Sequence, residues 1–229
     1  MCHHDGVNGV GWVWARWLAL VAIAAVAVVL VALSLAPVAG APIEPTPSAR
    51  PDDAAPRVVV IGQSPTSDPG GWPGQLANAR GFEVVALLTS DSSYLPAAGC
   101  SGDACRTYAD LVTEAIALDP DYVVVAGGAS VAGVDQSTIL SIVRSTLAGL
   151  RVGLPDATIL AAGPLPDAAD QTGATYLDGV IRQVTADLGL SYVSLSAPPV
   201  VLAPDSAVPP ALDAGGAADV ASRVAAALP

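Results

Sequence analysis

The chain has 229 residues and a formal net charge of −12, and its nine basic residues are all arginine. That charge excludes nucleic acid as a partner of the folded part, and an anionic membrane surface as well, because both repel an acidic face. The only histidines are His3 and His4, so no metal centre is expected in the body of the chain, no phosphate loop is possible without lysine, and no cofactor is expected.

Residues 1–16 form a short tail. From Trp17 to Ala36 the chain carries no charge, and Ser34 is the one polar interruption; such a run has the length of a bilayer-spanning helix, about 20 residues. Trp12, Trp14 and Trp17 gather at its front edge, where amphipathic rings prefer the headgroup level. A cleaved secretory signal is the competing reading, with Val38-Ala39-Gly40-Ala41 supplying small residues for a cleavage site. Its apolar stretch is usually shorter, about 7 to 15 residues, and the length here favours a membrane anchor at 17–36. Residues 37–56 contain Pro37, Pro42, Pro45, Pro47, Pro51 and Pro56, which reads as an extended spacer with nothing to pack.

The spacer and the processing reading both point outward, so the rest of the chain is expected to be extracytoplasmic, either membrane-anchored or secreted. Arg16 on one flank and Arg50 with Arg57 on the other give the positive-inside rule little to decide on. Outside the cytoplasm Cys100 and Cys105, which share one loop, would form a disulfide closing a short ring; free buried thiols are the alternative. Cys2 lies ahead of the apolar run, the wrong side for a lipoprotein signal.

Residues 57–229 are long enough for one α/β domain of roughly 170 residues. Arg57–Ile61, Phe82–Leu88, Tyr122–Ala126, Ala157–Ala161 and Tyr192–Leu195 are short β-branched or aliphatic runs, mostly continuous, as strands buried on both faces are. Between them the apolar period becomes helical. A short helix follows Trp72-Pro73, Leu111, Ala115 and Leu118 with Val112 and Ile116 make one stripe, Ile139, Val143, Leu147 and Leu150 a second, and Leu177, Val180, Ile181, Val184 and Leu188 a third. Val220, Val224 and Leu228 mark a last helix. Strands alternating with helices predict a parallel sheet covered on both faces, with the ligand crevice beyond the carboxyl ends of its strands.

The loops at those ends carry the informative residues. The first strand runs into Gly62-Gln63-Ser64-Pro65-Thr66 and on to Gly71-Trp72-Pro73-Gly74-Gln75-Leu76-Ala77; later loops hold Cys100-Ser101-Gly102, Gly127-Gly128-Ala129-Ser130-Val131 and Ala162-Gly163-Pro164. This series resembles the sequence blocks of the SGNH, or GDSL-like, hydrolases of actinobacterial type across residues 57–229. The resemblance implies a three-layer, doubly wound α/β fold with a five-stranded parallel sheet in flavodoxin-like order 2-1-3-4-5. It also implies Ser64 as nucleophile, with Ser64, Gly102 and Ser130 at the oxyanion positions, where donors meet the charge of the transition state.

The catalytic letters depart from that pattern. Gln63 stands where the family has Asp, Ser130 where it has Asn, and Val131 where it has the following Asp. In the last block, Asp205-Ser206-Ala207-Val208-Pro209-Pro210, aligning Asp205 as the acid puts Val208 at the catalytic His; aligning Pro210 with the family's Pro puts Pro209 there and Ser206 at the Asp. Both frames lose the base, although a serine hydroxyl needs one to become a nucleophile. General-base assistance is worth about 10²–10⁴-fold, and a carboxylate such as Asp205 or Asp68, with an ordinary pKa near 4, is a poor substitute. Asp91, Asp103, Asp167, Asp170 and Asp213 fall in predicted loops, where capping and solvation account for them.

The expectation is therefore a catalytically impaired domain that binds a cell-envelope glycan, lipid or protein partner, with the membrane engaged only through residues 17–36. An active serine esterase or acyl hydrolase using Ser64 with an atypical base is one alternative. A structural domain of a membrane complex is the other.

Overall fold

The computed structural model describes residues 54–63, 71–89, 93–96, 100–128, 131, 133–165, 171–197, 199 and 212–229, all within the unit Asp52–Pro229. Among them no helix is long and apolar enough to cross a membrane; the run 17–36 lies outside them.

Runs rich in Val, Ile and Leu extend because β-branched side chains lose little freedom on a pleated surface. They give β1 (Arg57–Gln63), β2 (Glu83–Thr89), β3 (Tyr122–Ala126), β4 (Thr158–Ala162) and β5 (Ser191–Val193). All pair in parallel, in the order β2-β1-β3-β4-β5, as the resemblance implied. The first strand reaches two residues farther than its apolar run, because Gly62 and Gln63 stay in register with Leu88 and Thr89. The last strand stops at Val193, before Leu195.

The helices are α1 (Trp72–Arg80), α2 (Tyr108–Ala117), α3 (Gln136–Gly153), α4 (Gln171–Leu188) and α5 (Ala214–Ala227). A 3₁₀ turn, Gly102–Cys105, precedes α2, so Asp103 belongs to a turn of helix rather than to an open loop. Successive strand residues point to opposite faces, and the core divides accordingly. Val59, Ile61, Val123, Val125, Ile159 and Ala161 pack under α2, α3 and α4. Val58, Val60, Val124, Leu160 and Ala162 pack under α1 and α5.

Local signals start and stop each helix. Pro73 sits in the first turn of α1, and Gly81, at φ 67°, ends it with its N–H donating to the Ala77 carbonyl, since a left-handed terminus favours glycine. Asp110 accepts from the Thr107 N–H at 2.6 Å and the Thr107 hydroxyl at 2.9 Å, holding the entry to α2. Asp213 caps α5, accepting from the Gly216 N–H at 2.6 Å.

At the amino edge of the sheet, Arg57 donates its N–H to Asp121 at 2.6 Å and its Nη1 to the Leu118 carbonyl at 2.7 Å. Its ion pair with Glu83, at 3.1 Å, completes a tie across the three neighbouring strand starts. The backbone bonds matter more than that half-exposed ion pair, because surface pairs contribute about 0–1 kcal/mol.

Asp135, the N-cap of α3, accepts from Ser137 Oγ at 2.6 Å, from Thr138 N at 3.0 Å and from Thr138 Oγ1 at 2.5 Å. These bonds, Ser137 first, lower its pKa from 3.8 to about 2. Because the folded value is depressed, the cap's contribution is fully present above the unfolded value and is lost as pH falls through about 2. The Thr138 amide resonance is expected to titrate with a midpoint near pH 2, and Asp135→Asn should abolish that titration; a midpoint near the ordinary carboxylate value would contradict the cap.

Candidate functional site at the carboxyl edge of the sheet

Every strand is parallel, so all five carboxyl ends meet on one edge. Gln63 closes β1 and is half-buried, and Thr89, buried, closes β2. Beyond β2, Ser93 and Tyr94 turn inward and are buried. The chain then enters the turn Gly102–Cys105, which is closed by the Cys100–Cys105 disulfide, with Cα atoms 5.2 Å apart. The disulfide reading of this pair holds, and the free-thiol alternative does not. Closing so short a ring constrains the unfolded chain by about 2 kcal/mol in the chain-entropy model.

Gly102 is exposed and has φ 57°, a left-handed conformation in which a Cβ is strained. The turn is carried by Tyr108, the first residue of α2, whose N–H donates to the Ser93 carbonyl at 2.8 Å and whose hydroxyl donates to the Ala126 carbonyl at 3.0 Å. That second bond ties the β2–α2 connection to the last residue of β3. Tyr94 packs edge-on against Tyr108 with ring centroids 4.9 Å apart, and its buried hydroxyl has no hydrogen-bond partner among the described residues.

After β3, Gly128 has φ 156°, and a Cβ there would stand 2.6 Å from Leu177 Cδ2 on α4. Val131, at the position of a family Asp, is buried in the core cluster beneath α2, α3 and α4. After β4, a Cβ on Gly163 would lie 2.1 Å from Asp178 Oδ1 and 3.1 Å from the Tyr192 hydroxyl. Asp178 is a buried carboxylate, 7% exposed, and it accepts from Tyr192 Oη at 2.5 Å. After β5, Ser194 Oγ accepts from the N–H groups of Ser196 at 3.3 Å and Ala197 at 3.2 Å. Arg223 donates to the Ser194 carbonyl at 3.3 Å while its guanidinium pairs with Asp219 at 2.6 Å.

Of the residues singled out by sequence, Gly102, Cys100 and Cys105 are therefore placed at this edge. Ser64, Ser130 and Asp205, with Ser206, Val208 and Pro209, lie outside the described residues. Asp178 and Tyr94 went unnoticed in the sequence. Asp178 had a signal: it sits next to Leu177 and three residues before Ile181, inside a buried helical arc where a carboxylate must find a donor. Tyr94 had none, because it belongs to an irregular segment without period.

The described phenols of the edge are neutral, and those of Tyr108 and Tyr192 already donate within the fold. Burial raises the Tyr94 phenol, and burial together with Tyr94 raises Tyr108 well above the ordinary value. Burial first, and then the bond to Asp178, raises Tyr192. All three keep their protons at physiological pH and are unsuited to take one from a serine. Among the described residues no cluster of His, Cys, Asp and Glu could hold a metal ion. Among the described residues of the edge, none of these phenols can serve as a base toward a serine hydroxyl.

This flavodoxin-like sheet order, with glycine-bearing loops converging on its carboxyl edge, belongs to an α/β fold that is SGNH-like, because solved structures of lipolytic and esterase proteins superpose on it. A protein described as an arylesterase from Agrobacterium tumefaciens aligns with a TM-score of 0.59 at 19% identity, over 75% of this chain and 97% of its own. A G-D-S-L family lipolytic protein from Desulfitobacterium hafniense gives a TM-score of 0.57 at 17% identity, over 76% and 99%. An acetylxylan esterase from Geobacillus stearothermophilus, solved as a catalytic mutant, gives 0.54 at 16% identity, over 76% and 94%. At such identities the likeness establishes the fold and not the chemistry. No family model matches the sequence, and no curated protein matches it.

The Gly163 backbone, Asp178 and Tyr192 form one packed unit linking α4 to the ends of β4 and β5. Tyr192→Phe removes the donor to a buried carboxylate and is expected to cost about 1.5–3 kcal/mol. Gly163→Ala forces its methyl onto that carboxylate and should cost at least about 1–3 kcal/mol, as overpacking does. Denaturant unfolding of the two variants checks both, and unchanged midpoints would show that the unit is loose.

Proposed function

We propose that this chain is an extracytoplasmic, membrane-anchored SGNH-hydrolase-like domain that binds a cell-envelope glycan, lipid or protein without turning it over. The observation that carries this reading is the missing base. His3 and His4 both precede the apolar run, lysine is absent, and the two frames of the last block put Val208 or Pro209 where the family has its catalytic His. The phenols at the carboxyl edge do not replace it, since burial keeps them protonated.

Loss of a triad member leaves only the residual catalysis of binding and the oxyanion hole, about 10³–10⁴-fold over water. Ser130 at the family's Asn position lowers that further, a hydroxyl being a shorter donor than an amide. The ligand class is supported by what proteins of the same fold are named for, which are lipolytic, arylesterase and acetylxylan esterase activities. The apolar run 17–36, the Pro-rich spacer and the Cys100–Cys105 disulfide all fit a domain held outside the cytoplasm.

The deciding experiment is covalent labelling with an active-site serine probe, together with turnover of short acyl esters. No labelling at Ser64 is expected, and Ser64→Ala should leave the background rate unchanged. A rate well above background that disappears in Ser64→Ala would return the domain to the working esterases. For topology, a reporter fused after Pro229 is expected to report an extracytoplasmic C terminus, and a cytoplasmic signal would invert the orientation.

A further inference from the structure

We propose that the Cys100–Cys105 disulfide is a reduction-sensitive latch on the turn that carries Gly102, opened by a protein dithiol without unfolding the domain. The bond lies wholly inside the connection between β2 and α2, with a sequence separation of 5. It joins no two strands or helices, so the sheet does not need it to stay assembled. The ends of the connection are held independently: Tyr108 is bonded to the Ser93 and Ala126 carbonyls, Thr107 is bonded to Asp110, and Tyr94 is stacked on Tyr108.

Between those anchors Arg106 pairs with Glu114 on α2 at 2.9 Å, an exposed pair of the kind that contributes little to stability. Ser101, Gly102 and Arg106 are exposed, and both cysteines are half-buried rather than enclosed, which leaves the bond open to approach by a reductant. A Cβ on Gly102 would meet nothing within 4 Å, and this left-handed residue, at φ 57°, lies inside the ring that the bond closes. The turn also packs against β2 at the carboxyl edge, beside the residues that Tyr108 ties to β3.

The exchange is balanced with a dithiol as the only co-reactant. One thiolate of the dithiol attacks a cysteine sulfur, the Cys100–Cys105 bond breaks, and the released sulfur takes a proton. The second thiolate then attacks the mixed disulfide, leaving two protein thiols and an oxidised dithiol. An oxidised carrier reverses the sequence. The consequence for binding rests on the reading of this edge as the ligand face; the latch itself does not.

Hydrogen exchange on the full chain, oxidised and after dithiothreitol, tests it. Exchange of the amides of residues 101–106 is expected to rise at least about tenfold on reduction, while amides of β1 and β3 change by less than about twofold. The double variant Cys100→Ser with Cys105→Ser should reproduce the reduced pattern without a reductant. An unchanged turn overturns the latch. Loss of protection in β1 and β3, or a double variant that does not fold, overturns it too, because the bond is then a staple of the whole domain. Binding of an acetylated oligosaccharide, measured on the same samples, should differ severalfold between the two forms, and equal binding overturns the regulatory role. Binding by neither form counts against the proposed function and leaves the exchange result to decide the latch.

Discussion

Val58, Val59, Val60 and Ile61 are all fully buried, two beneath α1 and α5 and two beneath the other three helices. The strand they form is bonded in parallel along both sides, to β2 through Gln63 and to β3 through Gly62. A slip of one residue would exchange its side chains between the two cores and break both ladders at once. Each core therefore fixes the register that the other needs. This constraint places the edge: Gly62 lies opposite Leu88 on one side and Ala126 on the other, so the β1, β2 and β3 loops leave the sheet at the same height.

Polar ties then convert that common height into a shaped surface. Tyr108 spans from the Ser93 carbonyl to the Ala126 carbonyl, and Tyr192 with Asp178 spans from β5 to α4 across Gly163. Most of the cationic side chains are likewise engaged within the fold. Arg57 closes the amino edge, Arg80 binds the Ala225 and Pro229 carbonyls and lies over Phe82, and Arg106, Arg144 and Arg223 pair with Glu114, Asp187 and Asp219. These five arginines are thus engaged with carbonyls and carboxylates of neighbouring elements.

The sheet was legible in the sequence because its strands are continuous apolar runs, and the helices because their stripes keep one period. Leu177, Val180, Ile181 and Val184 are all buried, as their spacing requires. Ends were less legible. Gly62 and Gln63 carry no β signal, yet they extend β1, because the ladder to Leu88 and Thr89 was available. Long-range polar pairs were least legible of all. Nothing local says that Asp178 meets Tyr192, since the pair exists only once α4 has packed beside β5. The Cys100–Cys105 bond was readable because its partners lie in the same loop, and Gly102 because a motif named it rather than because any period did.

The contrast between retained and altered letters has a physical explanation in the packing. Gly128 is required because a side chain there would run into Leu177, and Gly163 because one would run into Asp178. Both constraints belong to the scaffold and act whether or not any reaction takes place. The position of Val131 points the same way: where the resemblance has an Asp, a valine is buried in the core and contributes to stability rather than to chemistry. Gly128 and Gly163 are thus enforced by the closeness of α4 to the ends of β3 and β4, whereas Gly102 meets no such neighbour and is held to glycine by its left-handed backbone alone.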